Sequence, residues 1–150
     1  MAVKVSRRTE YGLRAMVALA ELAGDRRPVS LPTIAEMEEI PEQFLDQIVV
    51  KLRKAGFVKS VRGVNGGYLL ARPADEISVG ALVRLLEGSL APIECIGEGV
   101  TDPGAVCGRA RGCHTRSVWL RVMEALTEAL DSITLADVMR DEVPAPEASR

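Results

Sequence analysis

The chain has 150 residues, of which 47% are hydrophobic and 27% are charged, and its formal net charge is −2. This length and composition fit one globular domain, or one small domain with an appended element, and exclude disorder along the whole chain. The longest stretch without a charged residue covers nine residues, 63–71, far fewer than the roughly 20 apolar residues of a membrane-spanning helix. No cleavable signal sequence is recognisable, so the chain is predicted to be cytoplasmic and independent of membranes.

The charges are distributed unevenly along the chain. Residues 1–72 carry 12 Lys and Arg against 8 Asp and Glu, a net charge of +4. Residues 73–150 carry 7 against 13, a net charge of −6. The basic first part is therefore the part expected to meet a polyanion such as nucleic acid.

The basic part has the residue pattern of a helix-turn-helix. Ser6 can cap a first helix that Gly24 would end, and residues 31–39 predict a short second helix. After a break at residues 40–41 a third helix follows, which Gly56 would end. Its apolar residues recur at the spacing of one helix face and form a buried stripe of Leu45, Ile48, Val49 and Leu52. Two short helices joined by a tight break are typical of this motif.

A β-hairpin is predicted directly after the third helix. Residues 58–61 and 68–71 have the composition of two short strands. The turn between them, 62–67, contains Asn65-Gly66-Gly67, residue types that tolerate the positive φ of a tight turn. Residues 1–73 are thus predicted to form a winged helix-turn-helix domain, in a fold that is mainly α with a small β-hairpin wing.

The second part is predicted to combine helices with one long irregular segment. A helix is expected over 79–87, an irregular segment over 88–114, a long helix over 115–132 and a last short turn from Thr134. The irregular segment holds six of the 13 glycines and all three cysteines. A loop of this length in a compact domain must be ordered by something other than packing in a hydrophobic core. Residues 74–140 would form this unit, and residues 141–150 are predicted to be a disordered tail.

The helix over 115–132 is more apolar than a solvated helix. Its apolar residues alternate in steps of three and four, as in helices that pair with one another. Packing on its own domain is one outcome, but in so small a chain we favour pairing with the same helix of a second subunit. The predicted dimer contacts are Trp119, Val122, Met123, Leu126 and Leu130.

The outer face of the third helix and the hairpin turn present residue types that contact DNA. Gln can bond adenine bidentately in the major groove, an aromatic ring can contact a thymine methyl group, and cationic side chains neutralise phosphates. A solvated helix face is the alternative, and Glu42 and Asp46 on this surface would repel phosphates. At the turn, cationic and amide side chains would reach a phosphate or the minor groove, and glycine would let the backbone approach closely. The predicted contacts with DNA are Gln43, Phe44, Gln47, Lys51, Arg53, Lys54, Arg62, Asn65 and Gly67.

The cysteine spacing excludes the usual structural zinc pattern. Eleven residues separate Cys95 from Cys107 and five separate Cys107 from Cys113, so the sequence has no CxxC pair. An odd number of cysteines also argues against a disulfide framework. Three thiolates in a glycine-rich segment suit an iron-sulfur cluster, which accepts soft sulfur ligands. Three unrelated thiols are the alternative.

These motifs together resemble those of the IscR-like family of winged-helix regulators, called Rrf-two. The resemblance covers nearly the whole chain and is most specific in the wing. Besides the three cysteines and Trp119, the matching stretches are TEYGLRAM at 9–16, IPEQFLDQ at 40–47, LRKAG at 52–56, VRG at 61–63, GGYLL at 66–70, RP at 72–73 and ITL at 133–135.

The resemblance implies a homodimer that binds a pseudo-palindromic operator in double-stranded DNA, with one recognition helix in each half-site. It also implies that Cys95, Cys107 and Cys113 ligate a 2Fe-2S or 4Fe-4S cluster. Two departures affect this ligand set. Family members usually place the first two cysteines closer together, and Arg116 stands where the IscR type has a histidine.

The fourth ligand must therefore come from another position. Glu10 is the first candidate, because it resembles the acidic residue that nitric oxide sensing members offer from the first helix. An i, i+4 ion pair with Arg14 is the alternative role for Glu10. His114, the only histidine of the chain, is the second candidate.

The sequence thus predicts a DNA-binding transcription regulator whose operator affinity is controlled by an iron-sulfur cluster. Such a cluster would sense iron-sulfur status, oxygen and redox conditions, or nitric oxide. A cluster-free regulator of the same fold, which senses thiol oxidation or a partner protein, is the alternative. A small thiol-dependent enzyme is a remote alternative, because the sequence offers no nucleophile with a separate base and no phosphate-binding loop.

Overall fold

The computed structural model describes residues 4–23 and 26–146, and the predicted fold class is confirmed. The architecture is mainly helical, with one antiparallel two-stranded hairpin in the described residues. The first five elements are α1 (Arg7–Leu22), α2 (Leu31–Glu38), α3 (Glu42–Lys54), β1 (Val58–Val61) and β2 (Gly67–Leu70). The remaining elements are α4 (Val79–Glu87), α5 (Pro103–Val106), α6 (Arg116–Ser132) and α7 (Leu135–Met139). In the described ranges, no helix is both long and apolar enough to cross a bilayer.

Helix α1 is the central element of the core. It starts as predicted, because the Ser6 side chain accepts a hydrogen bond from the Thr9 amide and so caps the first turn. It ends at Leu22, and Gly24, the predicted end signal, lies outside the described residues. Along its length α1 packs against α2, α3, α4 and α7. Both parts of the chain therefore share one hydrophobic core.

Helices α2 and α3 form the predicted helix-turn-helix. Helix α2 ends one residue before the predicted boundary, because Glu39 adopts a left-handed conformation with φ of 52° and stops the helix. The apolar stripe of α3 is buried as predicted, with its four members at most 5% exposed. Three cationic residues in the last turn of α3 interact favourably with the negative end of the helix dipole.

The hairpin forms where predicted, but Gly67 alone of the three predicted turn residues has a positive φ. Strand β2 begins at Gly67, one residue earlier than expected, and Gly67 pairs with Val61. Positive φ values occur at Gly63 and Gly67 but not at Asn65 or Gly66, so the prediction for those two residues was wrong. A β-turn closed by the Gly66 amide on the Gly63 carbonyl, at 3.0 Å, needs positive φ only at its flank.

Helix α4, which has the predicted bounds, joins the two parts of the chain. Gly12 of α1 leaves room for Leu86, because a Cβ atom at position 12 would collide with the Leu86 Cδ1 atom. One turn away, the Glu87 carboxylate accepts hydrogen bonds from the Thr9 hydroxyl (2.5 Å), the Ser6 hydroxyl (2.8 Å) and the Ser6 amide (3.1 Å). Partial desolvation opposes ionisation, but these bonds hold the pKa of Glu87 below its usual value.

The ionised Glu87 carboxylate thus fastens the start of α1 to the end of α4. Thr9 is fully buried at this junction, which makes its hydroxyl the one buried polar side chain of the described core. Since Gly88 begins the cysteine-bearing segment directly after Glu87, any movement of that segment acts next to this junction.

The two last helices complete the core. The carboxyl end of α6 is tied to the start of α4, because the Val79 amide donates to the Ile133 carbonyl and the Leu135 amide donates to the Ile77 carbonyl, each at 2.8 Å. The short turn predicted from Thr134 is α7, which a capping box with Asp137 starts. Of the predicted tail, 142–146 has no helix or strand, and 147–150 lies outside the described residues.

Candidate functional site

The exposed face of α3 carries most of the residues predicted to contact DNA. Burial of the apolar stripe turns the opposite face of the helix outward, so these polar side chains are exposed. Arg53 is also exposed, but it lies on the flank of the helix near Asp46. The side chains that face away from the core are Gln43, Gln47, Lys51 and Lys54.

Phe44 is placed differently from the other predicted contacts. Its ring is half-buried and packs edge-on against Tyr11 of α1, with ring centroids 5.6 Å apart and an interplanar angle of 79°. Arg14 lies over the other ring, 5.6 Å from the centroid of Tyr11. Phe44 therefore fixes the start of α3 on α1, and its predicted contact with a thymine methyl group stays a prediction.

Val50 is a residue of the α3 surface that the sequence pattern missed. It is half-buried and lies three residues after Gln47 and seven after Gln43, hence on the same side of the helix. An apolar side chain beside the two amides is suited to a thymine methyl group. The sequence signal that could have identified Val50 is its position outside the buried stripe, on the polar side of the helix.

The wing projects Arg62 and Asn65 into solvent, as a contact with DNA requires. Gly67 also has a structural role, because its missing side chain makes room for the backbone of Val29. A Cβ atom there would collide with the backbone of Val29, whose amide and carbonyl pair with Tyr68 at 2.9 and 2.8 Å. Gly67 thus serves the fold of the wing, and its predicted contact with DNA stays a prediction.

A groove of mixed polar and apolar lining lies between the wing and the start of α2. Its volume is about 710 Å³, and its lining includes Arg27, Ser30 and Thr33 together with Asn65. Sequence reasoning did not find the first three residues, because they lie outside the two recognition elements. The groove extends the polar surface of the wing toward the helix-turn-helix.

The three cysteines differ in their surroundings. Cys95 is 7% exposed and packs with Ile96 and Ala110 in a small apolar cluster against Leu120 and Met123 of α6. Cys107 is exposed after α5, and Cys113 is half-buried just before α6. Within 4–23 and 26–146, no three His, Cys, Asp or Glu side chains come together as a metal-binding group. The donor set fits an iron-sulfur cluster by its chemistry, and its ligation requires the segment to rearrange.

Cys113 lies in an environment that favours its thiolate. Its Sγ atom is 3.2 Å from the Thr115 hydroxyl oxygen. That hydrogen bond is the largest cause that lowers the pKa of Cys113, followed by the backbone amides of Thr115 and Arg116, while desolvation acts in the opposite direction. Cys113 is thus prepared to act as a soft ligand or as a nucleophile.

The candidates for a fourth ligand are both exposed. Glu10 forms the predicted i, i+4 contact with Arg14, but at 3.9 Å, and its side chain keeps 59% of its exposure. Arg14 bonds more closely with Glu38, whose carboxylate lies 3.1 Å from its Nε atom. The contact with Arg14 therefore leaves Glu10 accessible. The His114 side chain is exposed, and its backbone carbonyl accepts a bond from Ser117.

Arg116, which stands where the IscR type has a histidine, offers a donor. Its Nε atom is buried and finds no hydrogen-bond partner within the part of the chain that the structure describes. A buried donor of this kind is suited to an anionic group. Its position three residues after Cys113 places it at the start of α6.

Helix α6 has no fully buried residue, although much of its surface is apolar. Of the predicted dimer contacts, Trp119 and Val122 are 36% and 44% exposed. Met123, Leu126 and Leu130 are half-buried, and Met123 packs on the cysteine segment of its own chain. The exposed apolar stripe therefore runs further round the helix than predicted, and it consists of Val118, Trp119, Val122, Ala125 and Ala129.

The winged helix-turn-helix fold agrees with comparisons with known proteins. The family described as "Rrf2: Iron-dependent Transcriptional regulator" matches residues 5–141. The chain belongs to the Rrf2 family. The family assignment supports the resemblance stated from the motifs.

The similar proteins include CymR, protein rrf2 and IscR. The HTH-type transcriptional regulator CymR of Bacillus subtilis is 38% identical over 136 residues, 91% of this chain and 89% of CymR. Protein rrf2 of Nitratidesulfovibrio vulgaris is 37% identical over 139 residues, 93% of this chain and 89% of that protein. The structure of T. potens IscR has a TM-score of 0.73 and 43% identity, covering 92% of this chain and 87% of that chain.

These comparisons define the general function. The chain is a transcriptional regulator with a winged helix-turn-helix fold. CymR and IscR are named as regulators and not as enzymes, so the thiol-dependent enzyme is set aside.

We expect that replacing Thr115 by Val raises the pKa of Cys113, because the hydroxyl that stabilises the thiolate is lost. A thiol with a higher pKa is less ionised at neutral pH, so alkylation of Cys113 should slow and its pH-rate midpoint should move upward. Mass spectrometry of metal-free, reduced protein treated with iodoacetamide at several pH values measures this midpoint. Ser117→Ala is the control, since the Ser117 hydroxyl bonds the His114 carbonyl instead. Equal midpoints in Thr115→Val and wild type would contradict the assignment.

Proposed function

We propose that this regulator binds a pseudo-palindromic DNA operator as a homodimer, and that an iron-sulfur cluster in the cysteine segment controls its operator affinity. The observation that carries the DNA-binding part is the exposed polar face of α3 beside the projecting wing. The same chain presents an exposed apolar stripe on α6 and a segment with three soft donors.

The recognition helix and the wing make different contacts with DNA. Gln43 and Gln47 read base edges in the major groove, where amides bond adenine bidentately. Lys51, Lys54 and the flanking Arg53 neutralise phosphates, which supplies affinity without sequence preference. Two further contacts come from Arg62 and Asn65, which reach the neighbouring backbone or minor groove.

Pairing of two copies through α6 gives the protein a two-fold symmetry that matches that of the operator. An apolar stripe at helical spacing is self-complementary when the same face of a second copy covers it. Val118, Trp119 and Val122 are the large side chains of that stripe, and burying them contributes about 25 cal/mol for each Å² removed from water. The dimer then presents two copies of α3 to two half-sites.

The cysteine segment is the proposed sensor. Cys95, Cys107 and Cys113 would hold the cluster, with Glu10 or His114 as a further ligand, and the 2Fe-2S and 4Fe-4S types both accept this donor set. When bound, the cluster would supply a redox-active centre able to react with oxygen or nitric oxide. The lowered pKa of Cys113 and the Nε donor of Arg116, unpaired among the described residues, support an anionic group here. The description of the family as iron-dependent supports it too.

A cluster-free thiol sensor is the second candidate, and a specific observation favours it. Cys113 is accessible at its half-buried position and has a lowered pKa, which are the properties of an oxidisable thiol. One similar structure is that of CymR, described as the global cysteine regulator of B. subtilis; it shares 38% identity, with a TM-score of 0.72 over 94% of this chain and 98% of that chain. In this case the same segment would respond to peroxide or thiol reagents.

Replacing Gln47 by Ala should relax base preference at one operator position, at a cost of about 1–3 kcal/mol for the preferred base. Arg62→Ala should instead weaken binding to all sequences and reduce the salt slope by about one. Fluorescence anisotropy with an operator and its single-base variants, at several salt concentrations, separates the two effects. Arg121→Ala on α6 is the control for loss of one charge. If Gln47→Ala leaves affinity and preference unchanged, the recognition face has been misplaced.

Replacing Val122 by Asp should dissociate the dimer, because it would bury an unpaired carboxylate in each copy. Such a charge costs about 3 kcal/mol or more, or at least about a hundredfold in the dimer dissociation constant. Analytical ultracentrifugation measures this constant, and operator affinity should fall with it. The control Arg121→Ala changes the net charge by the same unit on the neighbouring residue. A Val122→Asp protein that still dimerises like wild type would contradict pairing through this stripe.

Protein purified without oxygen should show the broad visible absorption of thiolate-ligated iron-sulfur centres, with matched amounts of iron and acid-labile sulfide. Cys113→Ser should lose most of both, and removing the cluster should change operator affinity by about 5- to 150-fold at fixed salt. A colourless protein that resists reconstitution, with operator affinity that responds to peroxide, would support the thiol sensor instead. Equal operator affinity with and without the cluster would remove the cluster's control of DNA binding.

A further inference from the structure

Arg84 lies where three parts of the molecule meet. It belongs to α4, and its Nη1 and Nη2 atoms donate to the two carboxylate oxygens of Asp131 on α6, at 2.8 and 2.7 Å. Its Nε atom lies 3.4 Å from the Oε1 atom of Glu98 in the cysteine segment. One guanidinium group therefore bonds the carboxylates of two different segments at once.

The contact with Asp131 is the fixed side of this arrangement. Gly80, one turn before Arg84, lets Asp131 lie directly against α4, because a Cβ atom there would collide with the Asp131 carboxylate. Two backbone hydrogen bonds also hold the start of α4 on the residues that follow α6. The bidentate pair thus sits at a point where α4 and α6 cannot easily separate.

The contact with Glu98 is the movable side. Glu98 lies three residues after Cys95, and its side chain is 52% exposed, so only Arg84 restrains its carboxylate among the described residues. The structure leaves the three cysteines apart. A rearrangement that moves Cys95 to bring the three thiols together would move Glu98 with it.

The remaining connection runs from α4 to the DNA-binding elements. Two residues after Arg84, Leu86 packs in the space left by Gly12 of α1, and Glu87 bonds Ser6 and Thr9. Helix α1 in turn packs against both α2 and α3. A change in the position of α4 therefore reaches the recognition helix through packed side chains.

We propose that Arg84 is a positioning residue that ties the cysteine segment, through Glu98, to α6 and α4. The inference rests on the proposed function and names how the sensor segment controls the DNA-binding elements. With Glu98 on Arg84, the segment is held against α4 and Cys95 stays covered. When Glu98 leaves, the segment is released and Arg84 keeps only Asp131.

The test uses Glu98→Gln in the full-length, cluster-free and reduced protein, with Glu94→Gln as the matched control. Glu94 is exposed in the same segment and forms no ion pair with a described residue. The first readout is the alkylation rate of buried Cys95 by iodoacetamide, followed by mass spectrometry, which reports opening of the segment. The second is the change in this rate on addition of operator DNA, because coupling between two sites is reciprocal.

In the wild-type protein, addition of operator DNA should change the alkylation rate of Cys95. Glu98→Gln should raise the DNA-free rate about two- to fivefold, as expected for loss of one exposed ion pair, and should reduce the effect of DNA. High salt should raise the wild-type rate toward that of Glu98→Gln, because salt screens the pair, and should affect the variant less. Glu94→Gln should behave like wild type throughout.

A Glu98→Gln protein with the Cys95 rate, salt response and DNA response of wild type would overturn this role of Arg84, even if operator binding is intact. Failure of the proposed function is distinguishable from this result. It would show as a wild-type dimer that binds no operator, while the DNA-free and salt-dependent rates still test the tie between Glu98 and Arg84.

Discussion

The close packing of α1 on α4 is the constraint on which the rest of the structure depends. It exists because residue 12 is glycine, which leaves space for Leu86, and because Glu87 accepts three hydrogen bonds from the first turn of α1. Helix α1 supports the helix-turn-helix, and α4 leads directly into the cysteine segment. A shift of α4 cannot be absorbed by a loose interface, because packed cores have low compressibility. The junction therefore couples the positions of α1 and α4.

Helix α6 serves two surfaces at once, which explains its unusual composition. One side rests on the small cluster around Cys95 and Ile96, and the other leaves Trp119 and Val122 exposed. The proposed pairing with a second copy would cover the apolar side that its own chain leaves exposed. Because the cysteine segment and the second copy would hold opposite sides of the same helix, a rearrangement of the segment alters the support of the dimer contact.

Local patterns predicted most of the fold but less of the site. The stripe from Leu45 to Leu52 and the cap at Ser6 follow from helical spacing and hydrogen-bond chemistry, which depend on near neighbours in sequence. The structural role of Gly67 was missed because its close neighbour, Val29, is distant in the chain. Likewise, the ion pairs of Arg84 join residues 14 and 47 positions away, which no periodicity indicates. The predicted DNA contacts and cluster ligands stay predictions, since they depend on partners outside the chain.

The size of the individual contacts decides how such a regulator can work. An exposed ion pair such as that of Arg84 with Glu98 contributes about 0.2–1 kcal/mol, whereas control of operator occupancy needs a coupling of about 1–3 kcal/mol. One pair is therefore too weak alone. The apolar cluster under α6 adds to it, since release of the segment would expose Cys95 and Ile96 together. A two-fold dimer contains each contact twice. When it binds an operator with two half-sites, the free energies contributed by both copies of a contact add. In the proposed dimer, symmetry would bring these weak contacts into the range that switches operator binding.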